Sequence, residues 1–329
     1  MSEKIVHQPK QTRTQEIGFL LVPGFALMNF SAAVDPLQAA NRISGKPLYH
    51  WTVLTGDGQP MDAGNGVTIT PDCAMDEVDG KFDLVIICAG IVNQEEFKSR
   101  KRLDWIRKLA SKGCTIGGIS TGSEILANAG LLDGYRCTIH WENDMSFREN
   151  HPDAILTGGI YELDRKRITA AGGIASLDMM LNWISQTNGE FFASAIAEQF
   201  IYDHVRLPSQ TQRNAEIQLV QRHSPRLAKA MQLMLANTEE ILSSKEISRQ
   251  VGISTRQLER LFSKYRQKSL HRYYLETRLD KARHLILYTG MTLLQISIAT
   301  GFSSQSHFTR CYKNLFGKTP SSERNPQIG

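Results

Sequence analysis

The stretch TLLQISIATGFSSQSHFTRCYKNLFGKTPSSER, residues 292–324, decides the fold of the last third of the chain. Its pattern predicts a helix, a tight turn at Gly301 and a second helix rich in polar and basic side chains. On the first helix we expect three apolar side chains to face inward: Leu294, Ile296 and Ile298. On the second, aromatic side chains recur at helical spacing: Phe308, Tyr312 and Phe316. This layout is typical of a helix-turn-helix that reads the major groove of DNA, although two helices packed only for stability share it.

A second copy of the pattern lies 50 residues upstream. A shift of that length superimposes Arg260 and Phe262 on Arg310 and Tyr312. The glycine turn of the earlier copy also corresponds to that of the later one, with one residue gained. The repeat favours two DNA-reading units over a hairpin built only for stability.

We expect the two helix-turn-helix units at about residues 245–266 and 293–316, with a long helix over about 270–288 between them. The hydroxyl of Ser254 is a suitable cap for the first reading helix. Two such units can enter major-groove faces about 34 Å apart. The side chains expected to contact DNA lie at the start or on the polar face of each reading helix: Ser254, Thr255, Arg256, Gln257 and Arg260, then Ser303, Ser304, Gln305, Ser306, His307 and Arg310.

Over about the last 100 residues, the pair of units resembles the DNA-binding domain of the AraC family of bacterial transcription regulators. The matching residues include Leu258, Arg260, Phe262, Arg278, Ala282, Gly301, Phe302, Phe308, Arg310, Tyr312, Gly317 and Pro320. One departure is the sequence QKSL at residues 267–270, where the family usually has a Gly and a Pro. This resemblance implies sequence-specific binding to double-stranded DNA.

Charge and length divide the chain in two. Residues 216–329 carry 18 Lys and Arg against 8 Asp and Glu, whereas residues 1–215 carry 20 against 25. A basic module joined to a mildly acidic one suits binding to phosphate groups through one end of the chain. No apolar run approaches the roughly 20 residues that span a bilayer, so we expect no membrane partner.

The first 15 residues are polar and lack the apolar core of a signal peptide. We therefore expect a disordered tail over residues 1–15 and a cytoplasmic protein. The five cysteines are scattered and form no CxxC pair and no His/Cys cluster. The sequence accordingly predicts reduced thiols, no metal site and no cofactor.

Residues 16–204 alternate apolar runs with helical patterns. The runs at residues 17–22, 82–88 and 114–119 each predict a buried parallel strand, and further strands are expected at 51–54 and 66–70. Helices are expected at 97–112, 177–185 and 191–204. This alternation implies a doubly wound α/β sheet, whose ligands bind at the carboxyl ends of the strands. A polar linker over residues 205–215 would lead to an all-α DNA-binding domain, residues 216–329.

The sequence Gly-Ile-Ser-Thr-Gly at residues 118–122 matches G-x-S-x-G, the strained strand-to-helix elbow that exposes a catalytic serine. Catalysis also needs a base and a carboxylate that orients the base. His140 is the only candidate base close in sequence, and no acidic partner for it is evident. The pentapeptide alone is a weak signal, so we expect no catalytic residue.

Residues 16–200 resemble the PfpI-like, class I glutamine-amidotransferase-like fold. The similar segments are DLVIICAG at residues 83–90, GGISTGSEILANAGLLDGYRCTIHW at 117–141 and TAAGGIASLDMMLNWI at 169–184. Together with the AraC-type domain, they make the whole chain resemble the GlxA family of transcriptional regulators. Three departures point away from thiol chemistry. Ser120 stands where the family's elbow has Cys, Thr121 stands where PfpI-type hydrolases place His, and the Glu expected early after the first strand is missing.

The elbow still predicts a site that binds a ligand but does not catalyse a reaction. The N–H groups after Ser120 open a helix and suit an anion, and Trp141 beside His140 offers an aromatic face to a cation. Ordinary core packing is an equal alternative for Trp141. Asp178 is expected to be a helix-terminus partner rather than a ligand contact. The residues expected to bind a ligand are Asn29, Ser120, Thr121, His140 and Trp141.

The sequence thus predicts a transcription regulator, an activator, whose α/β domain senses a small metabolite and forms a homodimer that can act with RNA polymerase. The resemblance implies control of nitrogen or carbon use and effectors such as amino acids, carnitine or betaines. One alternative is a PfpI-like hydrolase or amidase tethered to DNA by its basic domain. Another is a constitutive DNA-binding protein whose α/β domain only dimerises.

Overall fold

The chain folds into two parts of different architecture, an α/β part followed by an all-α part. In the computed structural model, residues 13–78, 82–90, 94–210, 212, 215–288 and 291–324 are described. The chain divides into two compact units, residues 1–212 and 213–329. Residues 1–12 of the predicted tail, and residues 211, 213 and 214 of the predicted linker, lie outside the described residues.

The strands of the first unit are β1 (Gln15–Leu21), β2 (Tyr49–Thr55), β3 (Met61–Asp62), β4 (Thr68–Ile69), β5 (Cys73–Ala74), β6 (Leu84–Cys88), β7 (Thr115–Ile119), β8 (Arg136–Cys137), β9 (Ile155–Leu156), β10 (Tyr161–Asp164) and β11 (Arg167–Ala170). Its helices are α1 (Leu27–Ser44), α2 (Gln94–Phe97), α3 (Arg100–Ser111), α4 (Gly122–Asn128), α5 (Asp144–Asn150), α6 (Ala175–Asn188) and α7 (Glu190–Gln199), with a 3₁₀ turn at Trp141–Asn143.

Seven strands form one twisted sheet in the order β10-β11-β7-β6-β1-β2-β5. All neighbours in it are parallel except β10, which is antiparallel to β11. Side chains of β1 alternate between two apolar cores: Phe19 packs in one with helices α1 and α6, and Leu20 in the other with α3 and α4. Because helices cover both faces, the central strands β1 and β6 carry buried apolar side chains on both faces, as the sequence predicts.

The structure corrects some of the predicted boundaries. Only Thr68 and Ile69 of the strand expected at 66–70 are extended, and they pair with β3 in a separate antiparallel hairpin. The helix expected to reach residue 204 ends at Gln199. The helix expected to start at residue 97 starts at Arg100, after a separate short helix.

The second unit is all-α. Its helices are α8 (Ala215–His223), α9 (Pro225–Ala236), α10 (Ser244–Val251), α11 (Thr255–Arg266), α12 (Leu270–Tyr288), α13 (Leu293–Ala299), α14 (Gln305–Phe316) and α15 (Pro320–Arg324). Helices α10 and α11 form the first helix-turn-helix, helices α13 and α14 form the second, and α12 has the predicted bounds. Ile247, Leu258 and Phe262 pack with α9 and α12 in one core.

The inward face of α13 differs from the prediction. Ile296 is buried as expected, but Leu294 is 54% exposed and Ile298 is 55% exposed. The buried positions are Ile296, Ser297, Ala299 and, just after the helix, Thr300. In a seven-residue helix with apolar residues on every side, sequence spacing alone favours no single face. The prediction of an inward position is therefore wrong for Leu294 and Ile298.

No helix within the described ranges combines the length and the apolar composition needed to cross a membrane.

Candidate DNA-binding surface and ligand site

The two reading helices begin in the same way. Ser254 caps α11 by accepting a hydrogen bond from the N–H of Gln257 at 3.2 Å, and Ser304 caps α14 by accepting one from the N–H of His307 at 3.3 Å. These caps lie 50 residues apart, the offset of the sequence repeat. Each satisfies a first-turn N–H group and sets where the helix starts. The predicted cap of the first reading helix is therefore confirmed, and the second helix repeats it.

Each reading helix buries one face and exposes the other. Leu258 and Phe262 of α11, and Phe308 and Tyr312 of α14, are fully buried. The residues predicted to contact DNA are exposed in both helices, except Thr255, which is half-buried and accepts a hydrogen bond from Ser248 at 3.3 Å. The exposed set is Ser254, Arg256, Gln257, Arg260, Ser303, Ser304, Gln305, Ser306, His307 and Arg310.

Gln257 has a structural role that the sequence analysis did not foresee. Its side-chain oxygen accepts hydrogen bonds from the N–H of Ser254 at 3.0 Å and from the Ser254 hydroxyl at 3.1 Å. Together with the bond from the Gln257 N–H to Ser254, these contacts form a capping box. A change at Gln257 therefore alters the start of the helix as well as its polar face.

Helix α12 holds both helix-turn-helix units. Arg278 donates from Nε to the carbonyl oxygen of Thr300 at 2.7 Å and from its terminal nitrogen to that of Gly301 at 2.8 Å. One turn earlier, the hydroxyl of Tyr274 donates to the carbonyl oxygen of Asn237, in the segment that precedes α10. The relative position of the two reading helices is thus fixed by side chains on one face of α12.

The elbow in the first unit has the strained geometry that its sequence predicts. Ser120 follows β7 with φ of 58°, in the left-handed region that a non-glycine residue rarely adopts. A Cβ at Gly118 would lie 2.7 Å from the backbone nitrogen of Ser123, and one at Gly122 would lie 2.2 Å from the carbonyl oxygen of Ile87. Only glycine fits these positions, because α4 approaches the strands so closely.

Ser120 and Asn29 both lie beside Gly172 at the carboxyl edge of the sheet. A Cβ at Gly172 would lie 3.2 Å from the Cβ of Ser120 and 3.1 Å from the side-chain nitrogen of Asn29. The side-chain oxygen of Asn29 accepts a hydrogen bond from the N–H of Gly173. The hydroxyl of Thr121 donates to the carbonyl oxygen of Gly90, so it holds a neighbouring loop.

His140 and Trp141 form a second group. Their rings lie 5.5 Å apart, and Trp141 is 37% exposed, which excludes ordinary core packing for it. Nδ1 of His140 accepts a hydrogen bond from the N–H of Glu142 at 3.4 Å. Burial lowers the pKa of His140, and the Glu142 carboxylate partly offsets this shift. Within the described part of the chain, no hydrogen bond joins His140 to Ser120.

Two residues, Asp178 and Gln212, anchor the segment after α7. Asp178 lies at a helix terminus as predicted, but neither its pairing with Arg206 nor the contacts of Gln212 follow from the sequence. Asp178 is fully buried in the first turn of α6 and forms an ion pair with Arg206 at 2.7 Å, so it is a partner of the chain that leaves the domain. Gln212 reaches the His140–Trp141 group: its side-chain oxygen accepts from the N–H of Trp141 at 2.7 Å. The first part of the predicted linker is therefore bound to the α/β unit.

Comparison with known proteins agrees with this architecture. The model of the DJ-1/PfpI family matches residues 15–186, and a helix-turn-helix domain model matches residues 247–325. In fold, the chain is similar to a ThiJ/PfpI family protein from Pseudomonas syringae, with a TM-score of 0.56 and 20% identity over 76% of this chain and 96% of that one.

Two full-length relatives are transcription regulators. The chain is 39% identical to the HTH-type transcriptional regulator GbdR of Pseudomonas aeruginosa over 319 residues, which cover 97% of this chain and 86% of GbdR. It is 35% identical to the HTH-type transcriptional regulator GlxA of Rhizobium meliloti, over 94% of this chain and 95% of GlxA. The chain therefore belongs to the DJ-1/PfpI family and is a GlxA-family transcriptional regulator, in which a DJ-1/PfpI domain precedes an AraC-type helix-turn-helix domain.

Proposed function

We propose that this regulator is an activator that binds two adjacent half-sites in DNA and responds to a small metabolite bound by its α/β domain. The observation that carries the first part is the shared design of α11 and α14. Both helices start at a serine cap, bury an aromatic or apolar face, and expose the polar residues expected to read bases. The surplus of basic residues from 216 onward adds attraction to phosphate groups.

The α/β domain serves as a sensor and not as a hydrolase. Ser120 keeps the elbow conformation, but His140 is hydrogen-bonded to Glu142 and has no bond to Ser120 within the described residues. A serine hydroxyl without a base is a poor nucleophile near neutral pH. Binding without turnover suits a protein that must detect its signal without consuming it.

The effector is a zwitterion that lies between the two groups of residues. Its carboxylate would lie at the elbow, near Ser120 and Asn29, and its cationic end would face Trp141, the exposed ring beside His140. Amino acids and betaines have this chemistry.

The active form is a homodimer, located in the cytoplasm with the chromosome. Bound effector shifts the dimer towards the arrangement that spans its half-sites, by no more than the difference in affinity for the two states. As an activator it contacts RNA polymerase, and the exposed apolar side chains of Leu294 and Ile298 support such a protein contact.

The second candidate is a PfpI-like hydrolase or amidase tethered to DNA, which the strained φ of Ser120 favours. One pair of experiments separates the candidates. Calorimetry with a panel of amino acids and betaines should show binding to the full chain, and Trp141→Ala should weaken that binding without changing the affinity of residues 216–329 for DNA. The sensor proposal fails if the panel gives no heat of binding, or if Trp141→Ala binds as tightly as the parent.

A further inference from the structure

The side-chain carboxamide of Gln212 lies within hydrogen-bond distance of four groups. Its oxygen accepts from the N–H of Trp141 at 2.7 Å. Its nitrogen lies 3.1 Å from the hydroxyl oxygen of Thr138, 2.9 Å from the carbonyl oxygen of Ile139 and 2.9 Å from that of Gly159. Thr138, Ile139 and Gly159 are buried. These four partners are named the Gln212 site below.

The Gln212 site offers more acceptors than a carboxamide can use. A primary amide nitrogen has two hydrogen atoms, but three oxygen acceptors lie within 3.1 Å of it. The hydroxyl of Thr138 donates its own proton to the carbonyl oxygen of Gly159 at 2.5 Å, so its oxygen faces the Gln212 nitrogen as an acceptor. A primary ammonium group has three hydrogen atoms and matches this set fully.

The remaining partner of the site is a donor. The N–H of Trp141 lies beside the three acceptors and is suited to an oxygen next to the nitrogen of a ligand. An ammonium group with a neighbouring carbonyl or carboxylate oxygen, as in an α-amino acid or its amide, has this arrangement. A quaternary ammonium group has no N–H and cannot make the three nitrogen contacts.

We propose that the Gln212 site binds a small molecule with a primary ammonium group beside a carbonyl or carboxylate oxygen, and that this ligand displaces the Gln212 side chain. This inference rests on the proposed metabolite response and also names the route of the signal. Of the zwitterions proposed above, it selects those with a primary ammonium group, and it places their carboxylate at the Trp141 N–H and not at the elbow. Gln212 is the last residue of the first unit, so the ligand competes with a contact that holds the chain leading to the DNA-binding domain.

With Gln212 displaced, the last hydrogen bond between the described chain and the sheet lies further upstream. Upstream of Gln212, the nearest hydrogen bond to the sheet among the described residues is that from the N–H of Ile160 to the carbonyl oxygen of Pro208 at 3.2 Å. The stretch from residue 209 to Gln212 contains four residues, which span about 13 Å when extended. The DNA-binding domains of a dimer then gain reach towards separated half-sites.

Removal of the competing side chain tests the site directly. In full-length Gln212→Ala, the midpoint of thermal unfolding should rise with glycine at concentrations at least tenfold lower than in the parent, because no internal group competes. N,N,N-trimethylglycine is the matched probe, since it keeps the carboxylate and lacks every N–H. The proposal is overturned if the trimethyl compound acts as well as glycine, or if the parent and the variant respond at the same concentrations.

Proteolysis tests the release of the chain. Trypsin should cleave full-length Gln212→Ala after Arg213 several-fold faster than the parent, and glycine should speed cleavage of the parent only. Gln212→Glu is the second variant, because its carboxylate presents oxygen to three acceptors and should release the segment even if the Ala variant does not fold. Equal cleavage of the parent and of a folded variant would overturn the proposal. Cleavage of the ligand-free variants tests the Gln212 contact alone, so its failure is distinct from a failure of the proposed metabolite response.

Discussion

Gly252 and Gly301 end the first helices of the two helix-turn-helix units with φ of 72° and 71°, yet their surroundings differ. A Cβ at Gly252 would meet nothing within 4 Å. A Cβ at Gly301 would lie 2.8 Å from the carbonyl oxygens of Thr238 and Glu239, in the segment before α10. The turn of the second helix-turn-helix therefore packs against the segment that leads into the first helix-turn-helix.

This pair allows a matched test of that contact. Gly252→Ala and Gly301→Ala should each lower the free energy of unfolding by roughly 1–2 kcal/mol, because alanine is strained in the left-handed conformation. Gly301→Ala should lower it by about 1–3 kcal/mol more, because the added methyl group overlaps backbone atoms that cannot move away easily. Urea unfolding followed by circular dichroism measures both changes. Equal losses in the two variants would show that the contact does not constrain the second turn.

We expect the exposed residues of both reading helices to confer sequence specificity. Arg256→Ala and Gln305→Ala should each weaken binding to a selected target by about 1–3 kcal/mol and binding to random DNA by much less. Fluorescence anisotropy at several salt concentrations measures both affinities. If the two affinities fall equally, these side chains contact phosphate groups and do not read bases. Gln257→Ala is a less clean variant, because it also removes the capping box of α11.

Ser120 should not react as an activated nucleophile. A fluorophosphonate probe is expected to leave the parent unlabelled, since His140 is not bonded to Ser120 within the described residues. A known serine hydrolase in the same tube controls for probe activity. Labelling that disappears in Ser120→Ala would support the hydrolase candidate instead.

His140 should make stability sensitive to mild acid. Burial lowers its pKa in the folded protein below the unfolded value of about 6.5. The unfolded chain therefore takes up the proton first, and stability is lost as the pH falls through about 6.5, until the pH reaches the folded pKa. The melting temperature of the parent should fall more between pH 7.5 and 5.5 than that of His140→Asn. A folded-state pKa above 6.5 in an NMR titration would contradict this.

Arg206 should be required for stability, because it pairs with the fully buried carboxylate of Asp178. Arg206→Met leaves the carboxylate without its ion pair and should cost up to about 3 kcal/mol, a figure kept low because Arg206 is one-third exposed. The double variant Asp178→Asn with Arg206→Met should regain most of that loss. A double variant as unstable as Arg206→Met would show that shape, and not charge, governs this contact.

The sequence predicts those parts of the structure that are determined by residues close together in the chain. The cap at Ser254 and the bounds of α12 follow from residues that are neighbours in the chain. The predicted inward face of α13 is wrong at Leu294 and Ile298. That helix is oriented by contacts from Arg278 to the turn that follows it, which the spacing of apolar residues does not reveal. Gln212 was missed as a contact of Trp141 because its partners lie 53 to 74 residues away and are mostly backbone groups, which leave no trace in the sequence.

The glycines of the elbow have a consequence for how such chains are recognised in genomes. Gly118 and Gly122 are fixed by the approach of α4 to neighbouring strands, a requirement that holds whether or not the serine between them reacts. Packing alone can therefore preserve both glycines of the G-x-S-x-G pattern. A motif scan across genomes would detect this packing, whereas activity depends on a base beside the serine.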